Sequence, residues 1–344
     1  MTERAWVSLP DLASRRFGGS VVWADDETFA ERENLITPAA PEFRPSTFGH
    51  KGQVYDGWET RRRREPGDDH AVIRLGMSGR VRGVVVDTAF FTGNYPPACT
   101  VSACAATGYP SPEELQAAAW DVLVEHAELR GDSRNLFDVP GPLARRRYTH
   151  LRLTIHPDGG VARLRAHGEP VADPALLDLT AMDLAALENG GHIVGCSNMF
   201  YSTPSNLLAP GQAIVMGEGW ETARRRDGGN DWVVVALAAA GVVRFAELDT
   251  THFKGNAPGW ATLTGCDTTS GNLEDPEAWF SLLPRTRLQP DTRHRFPLTD
   301  TRETTHVRLD IHPDGGMARL RLHGALTAAG QADFRARFTE SSAK

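Results

Sequence analysis

Ile155-His156-Pro157-Asp158-Gly159-Gly160-Val161-Ala162-Arg163-Leu164-Arg165-Ala166-His167-Gly168 returns later in the chain as Ile311-His312-Pro313-Asp314-Gly315-Gly316-Met317-Ala318-Arg319-Leu320-Arg321-Leu322-His323-Gly324. Of these fourteen positions two differ, Val161/Met317 and Ala166/Leu322. Chance does not place such a run twice in one chain, so the sequence is an internal duplication. Each copy also declares its local structure. Leu151, Leu153 and Ile155 alternate with Arg152, Thr154 and His156 before the turn. Ala162, Leu164 and Ala166 alternate with Arg163, Arg165 and His167 after it. Period two on both sides of Pro-Asp-Gly-Gly predicts a β-hairpin.

Working outward, the duplication extends over most of the chain. Trp58-Glu59-Thr60 and Arg62-Arg63-Arg64 return as Trp220-Glu221-Thr222 and Arg224-Arg225-Arg226, a shift of 162 that also carries Asp69 to Asp231, Asp87-Thr88 to Asp249-Thr250, Gly93-Asn94 to Gly255-Asn256 and Cys104 to Cys266. Nearer the N-terminus the shift is 172, taking Gly18-Gly19 to Gly190-Gly191 and Asn34-Leu35 to Asn206-Leu207. Further on it is 159, taking Trp120, Asp132, Arg134 and Phe137 to Trp279, Asp291, Arg293 and Phe296, and then 156, taking His150 to His306. A shift that falls in steps means that loops varied in length while the elements between them did not.

Val72-Ile73-Arg74-Leu75, Val84-Val85-Val86, Val233-Val234-Val235 and Phe245-Ala246-Glu247-Leu248 read as further buried strands. Many short strands repeated over such a length predict an all-β fold, two tandem jelly-roll β-sandwiches of the galactose-binding-like kind with short helical insertions. The expected units are residues 1–170, a linker at 171–189, residues 190–330 and a tail at 331–344 that frays. Helical pattern is confined to a stretch from Ser111-Pro112 to about Arg130, with serine as N-cap and proline at the first helical position, and to Asp173 through Leu187, stopped by Asn189-Gly190-Gly191.

A chain of 344 residues, 40% hydrophobic and 24% charged, buries a substantial core. A net charge of −7 and a pI near 6.0 exclude a dedicated nucleic-acid binder, which leaves Arg61–Arg64, Arg145–Arg147 and Arg224–Arg226 as local features. Cys99, Cys104, Cys196 and Cys266 show no Cys-x-x-Cys spacing. With no signal peptide or apolar span in view, the expectation is a cytoplasmic protein without membrane contact. No G-x-S-x-G, P-loop, dinucleotide or H-E-x-x-H motif is present, and His150/His156 and His306/His312 are six apart on one strand, too far for a shared ion. A mixed site assembled across loops stays open, so a divalent metal and a homo-oligomer are both left undecided.

The candidate chemistry lies in three places. The hairpin arginines Arg163, Arg165, Arg319 and Arg321 read first as a solvated sheet face and second as a carboxylate clamp. Trp58 and Trp220 read as core. Glu59 and Glu221 beside them are either ion-paired with neighbouring arginines or held as a base or ureido acceptor. Asp87-Thr88 through Gly93-Asn94, with its partner Asp249-Thr250 through Gly255-Asn256, places polar groups on a rim loop. Here the copies diverge. Phe90 and Thr92 become His252 and Lys254, two apart and thus on one side of an extended segment. Ser20 becomes His192 and His70 becomes Trp232. If one copy is catalytic, the second is favoured.

Phe17-Gly18-Gly19, Ala24-Asp25-Asp26, Asn34-Leu35, Asp56-Gly57-Trp58-Glu59-Thr60-Arg61-Arg62, Asp87-Thr88-Ala89-Phe90-Phe91-Thr92-Gly93-Asn94-Tyr95-Pro96-Pro97, Asp249-Thr250-Thr251-His252-Phe253-Lys254-Gly255-Asn256 and both hairpins resemble the allantoicase family from about residue 7 to 325. Two departures are His167 and His323, where a tyrosine is expected, and Ala223, which stands where the first copy has Arg61. The resemblance implies two fused jelly-roll repeats and hydrolysis of allantoate to ureidoglycolate and urea. Such a reaction needs a cation for the substrate carboxylate, an acid for the departing nitrogen and a base for water. The expectation assigns catalysis to Glu221 or Asp249 as base and His252 or Lys254 as acid. It assigns substrate binding to Glu59, Arg62, Asp87, Asn94, Arg224 and Asn256. The rival readings are a non-catalytic carbohydrate or small-ligand module, a ureidoglycolate-cleaving enzyme of the same pathway, and a fold whose copies have lost activity.

Overall fold

The structure is a computed structural model that describes residues 4–108, 110–174 and 181–342. It divides into two compact units, Met1–Val171 with Glu340–Lys344, and Ala172–Thr339.

In the first unit everything hangs on one strand of 19 residues, Asp69–Asp87. Its first half pairs antiparallel with Ser20–Ala24 on one side and Arg147–His156 on the other. Its second half pairs with Arg163–Pro170 and Arg134–Asp138. The pairing with Arg147–His156 slips between Arg74 and Gly79. There the strand leaves one layer and enters the next, which is how a long strand closes a sandwich. Ala98–Cys104 and Asp121–Glu128 extend the first layer beyond Arg147–His156. The apolar residues of the period-two pattern face inward: Ala71, Ile73, Val84, Val86, Leu151, Leu153, Ile155, Leu164 and Ala166 are all buried. The second unit repeats the plan on Asp231–Asp249, also 19 residues, with His192–Cys196, Thr304–His312, Arg319–Leu326 and Arg293–Pro297 as its neighbours. The expected all-β architecture and both hairpins are therefore observed.

Two helical expectations are not. Helix Pro112–Gln116 does start at Ser111, whose hydroxyl accepts from the Glu114 amide in a capping box. It ends after five residues, and Asp121–Glu128 is a strand paired with Ala98–Cys104. Val122-Leu123-Val124 has the branched, inward-facing character that sheet pairing rewards, and this outweighs the helical spacing of Leu115 with the alanines. Between the repeats, residues 175–180 of the expected Asp173–Leu187 helix lie outside the described residues. The remainder contains a short strand, Met182–Asp183, paired with Arg319–Leu326, and buried Leu184 to Leu187. At the other end Ala328–Ser342 is a helix with Phe334 buried, where fraying was expected.

Candidate active site

The duplicated turn places the duplicated glutamate. Gly160-Val161 pairs with Trp58-Glu59, and Gly316-Met317 pairs with Trp220-Glu221. Trp58 and Trp220 are fully buried, and their indole N–H groups donate to Asp26 O at 2.7 Å and Asn198 O at 2.9 Å. They belong to the core, as read from sequence. Thr60 and Thr222 tie the strand to the turn, their hydroxyls accepting from Gly159 N and Gly315 N. Only glycine fits at the turn's last position, because an added Cβ would stand 2.1 Å from the Phe91 ring at Gly160 and 1.9 Å from Phe253 at Gly316. The same glycines hold the rim loop. Gly160 N donates to Asn94 O and Gly316 N to Asn256 O.

Glutamate and asparagine thus meet. Asn94 Nδ2 donates to Glu59 Oε1 at 2.6 Å, and Asn256 Nδ2 donates to Glu221 Oε1 at 2.6 Å. Glu59 is 7% exposed, and its other oxygen, Oε2, is buried without a hydrogen-bond partner. Burial raises the Glu59 carboxyl above its ordinary value, against the downward pull of the Asn94 bond. Ion pairing with neighbouring arginines, the alternative for these glutamates, is not what holds them. Arg63 instead pairs with Asp69, and Arg225 with Asp231 at 2.8 Å. Both backbone amides cap the turn aspartates, Asp158 and Asp314. Arg62 and Arg224, one residue earlier, are exposed.

The rim loop is fixed by its acidic and hydroxyl residues. Asp87 is buried and accepts from Ala89 N at 2.9 Å, and burial raises its carboxyl. Asp249 is 2% exposed and accepts from Thr251 N and Oγ1. Thr88 and Thr250 donate to Arg130 O and Gln289 O. Phe90 and His252 take the left-handed region, φ 67° and 73°, with amides donating to Asp132 and Asp291 at 2.8 Å. That conformation is costly for a bulky residue and is held by the loop around it. The His252 ring meets Ala213 O at 3.0 Å through Nε2, so the proton sits on Nε2, since a carbonyl only accepts. The Lys254 side chain is 78% exposed, 4.0 Å from Asp291. Glu221 and Asn256 are therefore brought together. Asp249 instead opens, with Arg293, Arg295, Arg319 and Arg321, onto a cavity of about 530 Å³ whose lining includes none of Glu221, His252, Lys254 or Asn256.

The family model for the allantoicase repeat matches residues 10–171 and 182–327. The chain belongs to the allantoicase family. It is 59% identical over 326 residues to a probable allantoicase of Nocardia farcinica, covering 94% of this chain and 96% of that one. It is 50% identical over 343 residues to a probable allantoicase of Streptomyces coelicolor, covering 96% and 89%. The crystal structure of allantoicase from Saccharomyces cerevisiae matches with a TM-score of 0.76 at 34% identity over 92% of each chain. The doubled sheet unit is thus that of the allantoicase repeat, found twice in this chain.

Within this allantoicase the hairpin arginines are not the solvated face expected of them. Arg163 and Arg319 are 1% and 2% exposed. Arg163 spends its donors on Ala39 O, Asp56 O, Ala162 O and the Asp56 carboxylate, and Arg319 donates to Gly211 O, Glu218 O and Ala318 O. They stitch the long loop before each Trp-Glu strand to the sheet. The groove beside Asp249 was missed because its residues come from three strands that sequence spacing does not bring together. Among the described residues no group of three or more His, Cys, Asp or Glu side chains is placed to hold a metal ion. No helix among them is long and apolar enough to cross a membrane.

Proposed function

We propose that the protein acts as an allantoicase through its Glu–Asn pairs, hydrolysing allantoate to ureidoglycolate and urea. The observation that carries this reading is the repeated hydrogen bond of 2.6 Å from Asn94 to Glu59 and from Asn256 to Glu221. An asparagine amide that occupies one carboxylate oxygen leaves the other to take a proton from water. The water oxygen bonds to the central carbon as its bond to one ureido nitrogen breaks, and that nitrogen leaves with a proton as urea. Arg62 and Arg224, exposed three residues after each glutamate, supply the positive charge for the substrate carboxylate. In the second repeat His252 or Lys254 supplies the proton for the departing nitrogen. Asp87 and Asp249 act by holding the rim loop, since each carboxylate is already bonded inside it.

The test is urea release from allantoate, with and without chelator, in the parent and in Glu59→Gln, Glu221→Gln and the double variant. Urea release unaffected in the double variant would sink the assignment. The four free cysteines support a reducing, cytoplasmic location. Exposed Phe200, Tyr201, Ile214 and Val215 support association of copies, which sedimentation would read.

A further inference from the structure

The groove beside Asp249 serves no step above. Its floor is built of two cross-strand rungs, Arg293–Asp249–Arg319 and Arg295–Glu247–Arg321. The first repeat carries the corresponding rungs as Arg134–Asp87–Arg163 and Leu136–Val85–Arg165. Val85 and Leu136 have thus become Glu247 and Arg295. Gly83, on which the Trp6 ring lies, has become Phe245, and Arg16 has become Glu188. Exchanging apolar for charged residues on a packed rung adds little stability by itself, because each charge must be stripped of water. Glu247 is 6% exposed and held by Arg293 at 2.7 Å and Arg295 at 3.0 Å. Burial pulls its carboxyl upward, but the hydrogen bonds from the two arginines outweigh this and hold it below the usual range.

Two buried atoms in the groove are left over. Glu188 Oε2 and Arg321 Nη1 have no hydrogen-bond partner. Asp183 Oδ2 stands 3.7 Å from Arg321 Nη1, beyond hydrogen-bond reach, whereas in the first repeat Asp11 meets Arg165 at 3.3 Å. Both side chains line the groove, and the charges of Asp183 and Glu188 attract Arg321 without closing a hydrogen bond to that nitrogen, so a ligand that donates to Glu188 and accepts from Arg321 completes both.

We infer that the groove in the second repeat is a separate binding site for a small anion that carries both a carboxylate and an N–H donor. The carboxylate meets Arg321 Nη1 and the outward guanidinium of Arg295, whose side chain is 60% exposed. The N–H meets Glu188 Oε2. Ureido acids have both groups, and naming that class rests on the proposed function, whereas the site itself does not.

The experiment is calorimetric titration of the full chain with N-carbamoylglycine, which has a carboxylate and a ureido group but whose α-carbon bears one nitrogen where the central carbon of allantoate bears two. One saturable site that persists in the Glu59→Gln/Glu221→Gln double variant is expected. Arg295→Ala and Glu188→Ala should each weaken it about tenfold or more, with the melting temperature of Glu188→Ala not lowered. A merely structural Glu188 would lower that temperature and leave binding alone, and that result overturns the inference. So does absence of saturable binding, binding lost in the double glutamine variant, or equal binding of acetate, which has no N–H. Urea release from allantoate is measured separately. If urea is released and N-carbamoylglycine does not bind, only the groove falls. If binding holds and no urea appears, only the proposed reaction falls.

Discussion

Asn256 holds Glu221 at 2.6 Å, and Asn94 holds Glu59 at the same distance, each pair at the end of a turn whose glycine bonds the asparagine's own carbonyl. A general base contributes about 10²–10⁴ in rate. Glu221→Gln is therefore expected to cut kcat by at least roughly 10² if the second repeat carries turnover, with Glu59→Gln nearly silent. If both repeats work, each single variant should keep about half the activity and the double variant should keep none. Steady-state urea assays on the three variants decide between these outcomes.

The Glu59 carboxyl, raised by burial above 4.5, ties stability to pH. Below that value both folded and unfolded chains are protonated. As pH rises past it the unfolded chain releases its proton first, so stability falls until the folded group also ionises. Glu59→Gln should remove this loss, being more stable than the parent at pH 7 and closer to it at pH 4. Urea-unfolding midpoints at the two pH values measure the gap.

His150 works in the opposite sense. It is 2% exposed, and burial, helped by Arg74, lowers it from 6.5 to about 4. Between those values the unfolded chain binds a proton that the folded chain refuses, so stability drops as pH falls from 6.5 toward 4. His306 is shifted in the same direction by burial, helped by His192. His150→Leu should flatten the fall in melting temperature between pH 7 and pH 4.5, whatever it costs at pH 7 through the lost Thr149 hydrogen bond.

Gly160→Ala and Gly316→Ala drive a methyl into Phe91 and Phe253. Each should destabilise its repeat by about 1–3 kcal/mol. Phe91→Leu or Phe253→Leu in the same chain should recover part of that, since the ring itself is the obstacle. Calorimetric melting of the single and paired variants tests it.

The thiols should divide by burial. Cys99 is raised to about 12 and Cys104 to about 11, in both cases chiefly by burial, so neither offers thiolate at neutral pH. Cys196 is half-buried. Alkylation of the native protein at pH 7.5, read by mass spectrometry, should label Cys196 before Cys99, Cys104 or Cys266.

Where a residue's role depends on its own strand, the sequence was legible. Period two around Pro-Asp-Gly-Gly marks the hairpin because a half-buried sheet imposes that spacing, and Trp58 and Trp220 read as core because nothing else keeps an indole in register twice. Asp121–Glu128 was misread because the capping signal at Ser111 is genuine, yet says where a helix starts and not how far it runs. Arg163 and Arg319 defeated the polar-out rule because each is satisfied by backbone carbonyls of a loop more than 100 positions away in the chain. The Asp249 groove is a matter of rungs, with Arg293, Glu247 and Arg321 arriving from three strands. Only after pairing is known does the exchange of Val85 and Leu136 for Glu247 and Arg295 become a single event.

The strand shared by both layers sets what either copy tolerates. Asp69 to Asp87 and Asp231 to Asp249 are equal in length, while every gain or loss between the copies falls elsewhere. A continuous ribbon threaded through two sheets cannot be lengthened by one residue without turning half its side chains inside out. The loops hanging from its ends carry no such penalty. Grafting the Phe90–Asn94 loop onto the second copy, or His252–Asn256 onto the first, should therefore transplant chemistry while leaving the chassis intact.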